Sequence, residues 1–211
     1  MKAYMPLASM SGTDDIRDAF MCLLCSPDLR TLLITGPPGT GKSAAARSIA
    51  GFAPDKKIIE IPQNVTREQL FGSVDIEEAI KTGRKVTADS VLGRADGNIL
   101  IADNANLLPA DVFQPLLNAV SDGIVKAEIG GVSVDSVCDS VLICTMDPEE
   151  GGLSPHMLDR FDMCIVTSAS EDESVRKEII RNNLEYERDP SGFMAAYSVS
   201  EAEICCTNHR G

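Results

Sequence analysis

The sequence predicts an α/β protein, a three-layer α/β/α sandwich around a five-stranded parallel sheet. Three observations carry this. Five short apolar runs rich in β-branched residues, Thr31 to Thr35, Lys57 to Ile61, Asn98 to Ala102, Ser140 to Thr145 and Met163 to Thr167, have the length and composition of buried strands. Helical patterns separate most of them, and parallel strands joined by crossover helices need a helix layer on each face. At 211 residues the chain is long enough for one such core and too short for a second domain of similar size.

Taken in order, the elements begin after Met1 to Thr13. Asp14 and Asp15 are candidate N-caps for a helix with Ile16, Phe20, Leu23 and Leu24 at helical spacing, halted near Ser26-Pro27. The Thr31 to Thr35 strand runs into a Gly-Pro-Pro turn, followed by a helix over Ala44 to Ala50. Asp111 to Val120 reads as a helix that starts close to Pro115, because proline is comfortable only in the first turn. Between Gly123 and Val134 the alternation Ile124, Lys126, Glu128, then Gly130-Gly131, Val132, Val134, predicts a hairpin. From Glu171 onward Val175, Ile179, Ile180 and Leu184 form one apolar helical stripe, and Asp189-Pro190 opens another helix. The division expected is an α/β domain over residues 1–168 and linker helices over 169–211.

Composition narrows the function. Acidic residues outnumber basic ones 32 to 19, a net charge of −13 that repels nucleic acid and anionic lipid alike. The first dozen residues lack the basic and apolar regions of a signal peptide and no run reaches membrane-spanning length, so no membrane partner and a cytoplasmic location are expected. The seven cysteines are scattered, as reduced thiols would be. Cys22-x-x-Cys25 lacks a second ligand pair, His156 and His209 being the only histidines, and reads as two thiols on one helix face.

The chemistry is concentrated in Gly36-Pro37-Pro38-Gly39-Thr40-Gly41-Lys42-Ser43, with Ala44 behind it. It matches the phosphate-binding pattern G-x-x-x-x-G-K-[ST] and stands between a strand and a helix, as that pattern requires. Glycines let successive N–H groups curl around phosphates, Lys42 reaches the β- and γ-phosphates of ATP, and Ser43 ligates Mg2+. Asp103, closing the Asn98 to Ala102 strand, supplies the second metal-side oxygen.

Further motifs, Leu70-Phe71-Gly72-Ser73-Val74-Asp75-Ile76-Glu77, Val91-Leu92-Gly93-Arg94-Ala95, Asn106-Leu107-Leu108, Leu117 to Gly123, Thr145-Met146-Asp147-Pro148-Glu149-Glu150-Gly151 and Leu158-Asp159-Arg160-Phe161, resemble the I subunit of magnesium chelatase from about Asp14 to Tyr197. The resemblance implies a P-loop NTPase of the AAA+ class that self-associates into a ring, usually a hexamer, with ATP between subunits. It also implies a D-like partner, and a large catalytic subunit that inserts the metal into a tetrapyrrole. Arg160 falls on the arginine finger of that family, against the alternative of a local pair with Asp159 or Asp162. The hairpin resembles a family insertion facing the pore or partner subunits; it also fits a solvated hairpin.

Two positions depart from the family. Where it has a catalytic glutamate after Asp103, this chain has Asn104, whose amide cannot accept a proton; where its sensor is asparagine, this chain has Asp147. Either the carboxylate has changed strands, with Asp147 as base and Asn104 as sensor, or the subunit has lost hydrolysis and serves as a scaffold, as in the D subunit. A chaperone of the related MoxR type is a third possibility. The family's helical lid should follow Tyr197, and only Ser198 to Gly211, including His209 and Arg210, remains, so either the chain is a fragment of a longer protein or the lid is absent.

Overall fold

The structure, a computed structural model, describes residues 4–72, 90–129 and 132–207. Ser73 to Glu77, Gly130-Gly131, His209 and Arg210 lie outside the described residues.

Helix α1 (Asp14–Cys25) leads to strand β1 (Thr31–Thr35), helix α2 (Lys42–Phe52), strand β2 (Ile58–Glu60), and the short helices α3 (Arg67–Phe71) and α4 (Val91–Ala95). Then come β3 (Ile99–Ala102), α5 (Ala110–Asp122), the hairpin β4 (Ile124–Ile129) and β5 (Val132–Val137), β6 (Val141–Met146), α6 (Pro155–Leu158), β7 (Met163–Val166), α7 (Glu173–Arg188) and α8 (Pro190–Thr207). The five strands expected to form the main sheet do so, in the order β2-β3-β6-β1-β7, all parallel. The hairpin forms its own two-stranded antiparallel sheet.

Alternation along the strands creates the three layers. Leu33, Leu100, Leu142 and Cys144 face a core with Phe71, Leu92, Phe113, Leu116 and Leu117, from α3, α4 and α5. Their neighbours Leu32, Ile34, Ile99, Ile101 and Ile143 face the other way, onto Phe20, Ala45, Ala46 and Ile49 of α1 and α2. Because both faces are covered, the central strands read as continuous apolar runs. Phe20 is fully buried and meets Phe52 edge to face at 5.7 Å, locking α1 onto α2.

The structure corrects several sequence expectations. The N-cap of α1 is Thr13, and Asp14 and Asp15 occupy the first turn. Helix α2 starts at Lys42, two residues before the Ala44 boundary expected. Pro115 lies inside α5, which begins at Ala110. An interior proline costs about 3 kcal/mol, but this helix buries Val112, Phe113, Leu116, Leu117 and Val120, each contributing roughly 1.5–3 kcal/mol. Burial decides the outcome.

The stripe on α7 is also not the core face it resembles. Ile180 and Leu184 are 60% and 59% exposed, while the buried residue of this helix is Asn182, whose amide donates to the carbonyl of Ser9 at 2.8 Å. Helix α8 returns toward α2, with Phe193 buried between Tyr186 and Tyr197. Among the described residues no helix is long and apolar enough to cross a membrane.

Candidate nucleotide-binding site

The sheet order places β1 between β6 and β7, so the loop leaving β1 emerges at the carboxyl edge beside the ends of both. Ligands of open parallel sheets bind at this edge. Residues Gly36 to Gly41 turn sharply there: Gly39 and Gly41 have φ of 78° and 79°, which L-residues with a Cβ rarely adopt. Gly41 is the N-cap of α2, so the free N–H groups of the first turn, Ser43 and Ala44 among them, open toward the loop. Lys42 is buried, 7% exposed, and its Nζ donates to the carbonyls of Gly36 and Pro37 at 2.7 and 2.8 Å. The ammonium is thus held within the loop by groups that a phosphate can replace.

Ser43 and Asp103, the two residues expected to hold magnesium, lie in contact. Ser43 Oγ donates to Asp103 Oδ1 at 2.6 Å, and Thr145 Oγ1, one strand over on β6, lies 2.5 Å from the same oxygen. Arg47, one turn beyond Ser43, donates to Asp103 Oδ2 at 3.3 Å, to the carbonyl of Ser43 at 3.1 Å and to Glu60 at 3.1 Å. Burial pushes the Asp103 carboxyl up, but the hydroxyls of Ser43 and Thr145 and the Arg47 guanidinium outweigh it and hold the group below its ordinary value. Asp103 is therefore an ionised, hard oxygen donor beside a hydroxyl, the donor chemistry that magnesium takes. Among the described residues no group of three or more histidine, cysteine, aspartate or glutamate side chains is placed to hold a metal.

Asn104 follows Asp103 with φ of 50°, the one described residue other than glycine in the left-handed region, and its N–H donates to Thr145 Oγ1 at 2.9 Å. Asparagine tolerates that conformation better than most residues. Asp147 lies just beyond β6, 6% exposed, with Oδ1 accepting from the N–H of Glu149 at 2.9 Å. The two loops are stapled by Asn106, whose amide donates to the carbonyls of Asp147 and Gly151 at 3.3 and 3.0 Å. Asn104 and Asp147 thus belong to adjoining loops at the ends of adjacent strands.

Arg160 stands on the turn before β7. Asp162, one of its two candidate local partners, is instead engaged by the N–H groups of Arg30 and Thr31, each at 2.8 Å, and by Thr31 Oγ1 at 2.9 Å. The buried Nε of Arg160 has no hydrogen-bond partner among the described residues.

Sequence reasoning missed Thr145, Arg47, Asn106 as a staple, and Thr167 at the end of β7. Each is an ordinary polar residue whose role depends on which strand lies next to which. The strand order of the parallel sheet was the signal that could have found Thr145.

A glycine loop cradling a lysine, backed by an acid and two hydroxyls at the edge of a parallel sheet, defines a P-loop nucleotide-binding module. Residues 31–161 match the AAA domain of the dynein-related subfamily, and the chain belongs to that family. More particularly, it is similar to the magnesium chelatase 38 kDa subunit of Rhodobacter capsulatus, 27% identical over 94% of this chain and 66% of that protein, and to the chelatase I-subunit homologue of Methanocaldococcus jannaschii, 27% identical over 97% and 66%. An uncharacterized Mycobacterium tuberculosis protein is 35% identical, and this chain spans 33% of its length. The chain therefore covers a third of that relative and slightly under two thirds of the two chelatase subunits. Among solved structures it superposes on the BchI–BchD complex of magnesium chelatase with a TM-score of 0.72 at 26% identity, covering 96% of this chain and 73% of that one.

Proposed function

We propose that the chain is the ATP- and magnesium-binding AAA+ subunit of a chelatase-type assembly. It acts in the cytoplasm as part of a ring, a hexamer by analogy with the family, with a D-like subunit and a large catalytic subunit that performs metal insertion into a tetrapyrrole. Residues 1–168 form the nucleotide module and 169–211 lead toward a lid. The convergence of Ser43, Thr145 and Asp103 beside the Lys42 loop carries this reading.

In this function the loop N–H groups from Gly36 to Ala44 surround the phosphates, and Lys42 exchanges its two carbonyl partners for phosphate oxygens. Ser43 and Asp103 would hold magnesium, which supplies charge neutralisation for the triphosphate when bound. Thr145 orients the Asp103 carboxylate through the oxygen that Ser43 also engages, and Arg47 orients it through the other. Arg160 reaches the nucleotide of the adjoining subunit, in keeping with an Nε left without a partner among the described residues. Titration with ATP, with and without magnesium, and sizing of the complex test binding and assembly together. Absence of binding by folded protein, or binding untouched by Lys42→Ala, would end this reading.

For hydrolysis, Asp147 takes the place of the absent glutamate as base, and Asn104 becomes the polar sensor. Adjacent strands and the Asn106 staple support that exchange. Loss of a positioned base costs roughly 10² to 10⁴ in rate, so Asp147→Asn should lower steady-state turnover of the assembled ring by a factor in that range; unchanged turnover sinks the exchange. A second reading, a scaffold subunit that binds ATP and hydrolyses none, is favoured by Asn104 itself. Single-turnover hydrolysis separates the two.

A further inference from the structure

Strand β7 is the edge strand of the main sheet, exposed at Cys164 and Val166, yet it is fixed to the central strand β1 at both ends. At its start Asp162 accepts two backbone N–H groups and a hydroxyl from Arg30 and Thr31, and its own N–H donates back to Thr31 Oγ1 at 2.9 Å. At its end Thr167 donates its N–H to the carbonyl of Thr35 at 2.7 Å. The Thr167 hydroxyl lies 3.1 Å from that same carbonyl and 2.9 Å from Thr40 Oγ1, inside the glycine loop. Thr40 Oγ1 is in turn 3.0 Å from the carbonyl of Pro37.

The proton inventory of this pair is restrictive. Each hydroxyl has one hydrogen. Thr167 can donate to Thr35 and accept from Thr40, Thr40 can donate to Pro37 and accept from Thr167, or each can donate to its own carbonyl, which sets two lone pairs against each other across 2.9 Å. In the first two arrangements the hydroxyl–hydroxyl hydrogen bond ties the loop to the sheet. Thr167 also presses on the loop's first residue: a Cβ at Gly36, whose φ is 155°, would collide with both Thr167 Oγ1 and its carbonyl oxygen. The loop is thus gripped at Gly36 by shape and at Thr40 by a hydrogen bond, from a residue more than a hundred positions away.

We infer that Thr167 is a positioning residue for the phosphate loop, holding Thr40 and Gly36 in the curvature that receives the triphosphate. It touches no nucleotide itself and acts through Thr40. The inference rests on the ATP-binding reading above. It also gives β7 a second task, since the strand that begins three residues after Arg160 ends against the loop of its own subunit.

The test uses the full chain and ATP with magnesium. Thr167→Val keeps the shape and the β-branched backbone preference but removes the hydroxyl; Thr167→Ser keeps the hydroxyl. One neutral hydrogen bond corresponds to about a 3- to 10-fold change in affinity, so Thr167→Val should raise the Kd for ATP by that factor, with kcat little changed where turnover is measurable, and Thr167→Ser should restore wild-type affinity. Thr40→Val should reproduce the loss, and the double variant should be no worse than either single one, because both remove the same contact. If Thr167→Val fails to fold, Thr40→Val alone against wild type decides. Wild-type affinity in the hydroxyl-lacking variants while Lys42→Ala abolishes binding would overturn the role of Thr167 and leave the nucleotide site standing; ATP binding unaffected by Lys42→Ala would remove both.

Discussion

Asp103→Asn probes the chemistry of the site most directly. The carboxylate accepts from Ser43 at 2.6 Å and Thr145 at 2.5 Å through one oxygen, and from Arg47 at 3.3 Å through the other. A hydrogen bond to an ionised group contributes about 1.5–3 kcal/mol against about 0.5–1.5 for a neutral pair, so the amide weakens the two hydroxyl contacts by roughly 1 kcal/mol each. Two effects offset part of this: the side chain is 32% exposed, which screens its charge, and the cost of burying an anion disappears. The net loss of stability should be about 1 kcal/mol, a fall in Tm of roughly 2–4 °C for a chain of this size. ATP binding should change in a selective way. Isothermal titration with EDTA should give an affinity within about twofold of wild type, while the gain on adding magnesium should shrink about tenfold or more, equal to about 1.4 kcal/mol. A variant that keeps the whole magnesium gain would refute the placement of Asp103 on the metal side.

Three further outcomes follow from the geometry. Pro115→Ala should stabilise the protein by about 1–3 kcal/mol, because it restores an interior N–H while leaving the buried face of α5 intact; denaturant midpoints at constant m-value measure it. The folded-state pKa of Asp103 is depressed below its ordinary 3.8, so its contribution is complete above that value and is lost as pH falls through the lower folded value. Magnesium-dependent ATP binding should thus show no transition from titration of Asp103 between about pH 8 and pH 5, and a transition in that window that disappears in Asp103→Asn would contradict the assignment. Arg160→Ala should leave ATP affinity unchanged yet lower turnover in the assembled state by roughly 10³ to 10⁵; an equal effect on isolated subunits would show that the guanidinium acts within its own chain.

Much of this was legible in the residues themselves. The interior strands β1, β3 and β6 announced themselves because each is buried on both faces and so does not alternate, while β2 and β7 were legible as short apolar runs although both are partly exposed at the sheet edges. Gly36 to Ser43 carried its own context, and Asp103 followed from the strand it terminates. What stayed hidden depended on tertiary neighbours. Pro115 argued locally for a helix start, and the burial of Val112 and Phe113 ahead of it overrode that preference. The apolar stripe of α7 has the period of a core face but meets no core; the turn of the chain placed Asn182 inward instead. Thr145, Arg47 and Thr167 are unremarkable in sequence and became part of the site only once β6 and β7 were seen to flank β1.

The attachment of α7 has a consequence for how the protein comes apart. A sixteen-residue helix whose buried member is one amide, tied to the Ser9 carbonyl, adds little apolar area to either core. Its amides should exchange with deuterium well before those of β1 and β6, through a local opening that leaves the sheet intact. Substitution of Asn182 by alanine would cut that tether, and the faster exchange should be confined to the helix and the Leu7–Ser9 turn it rests on.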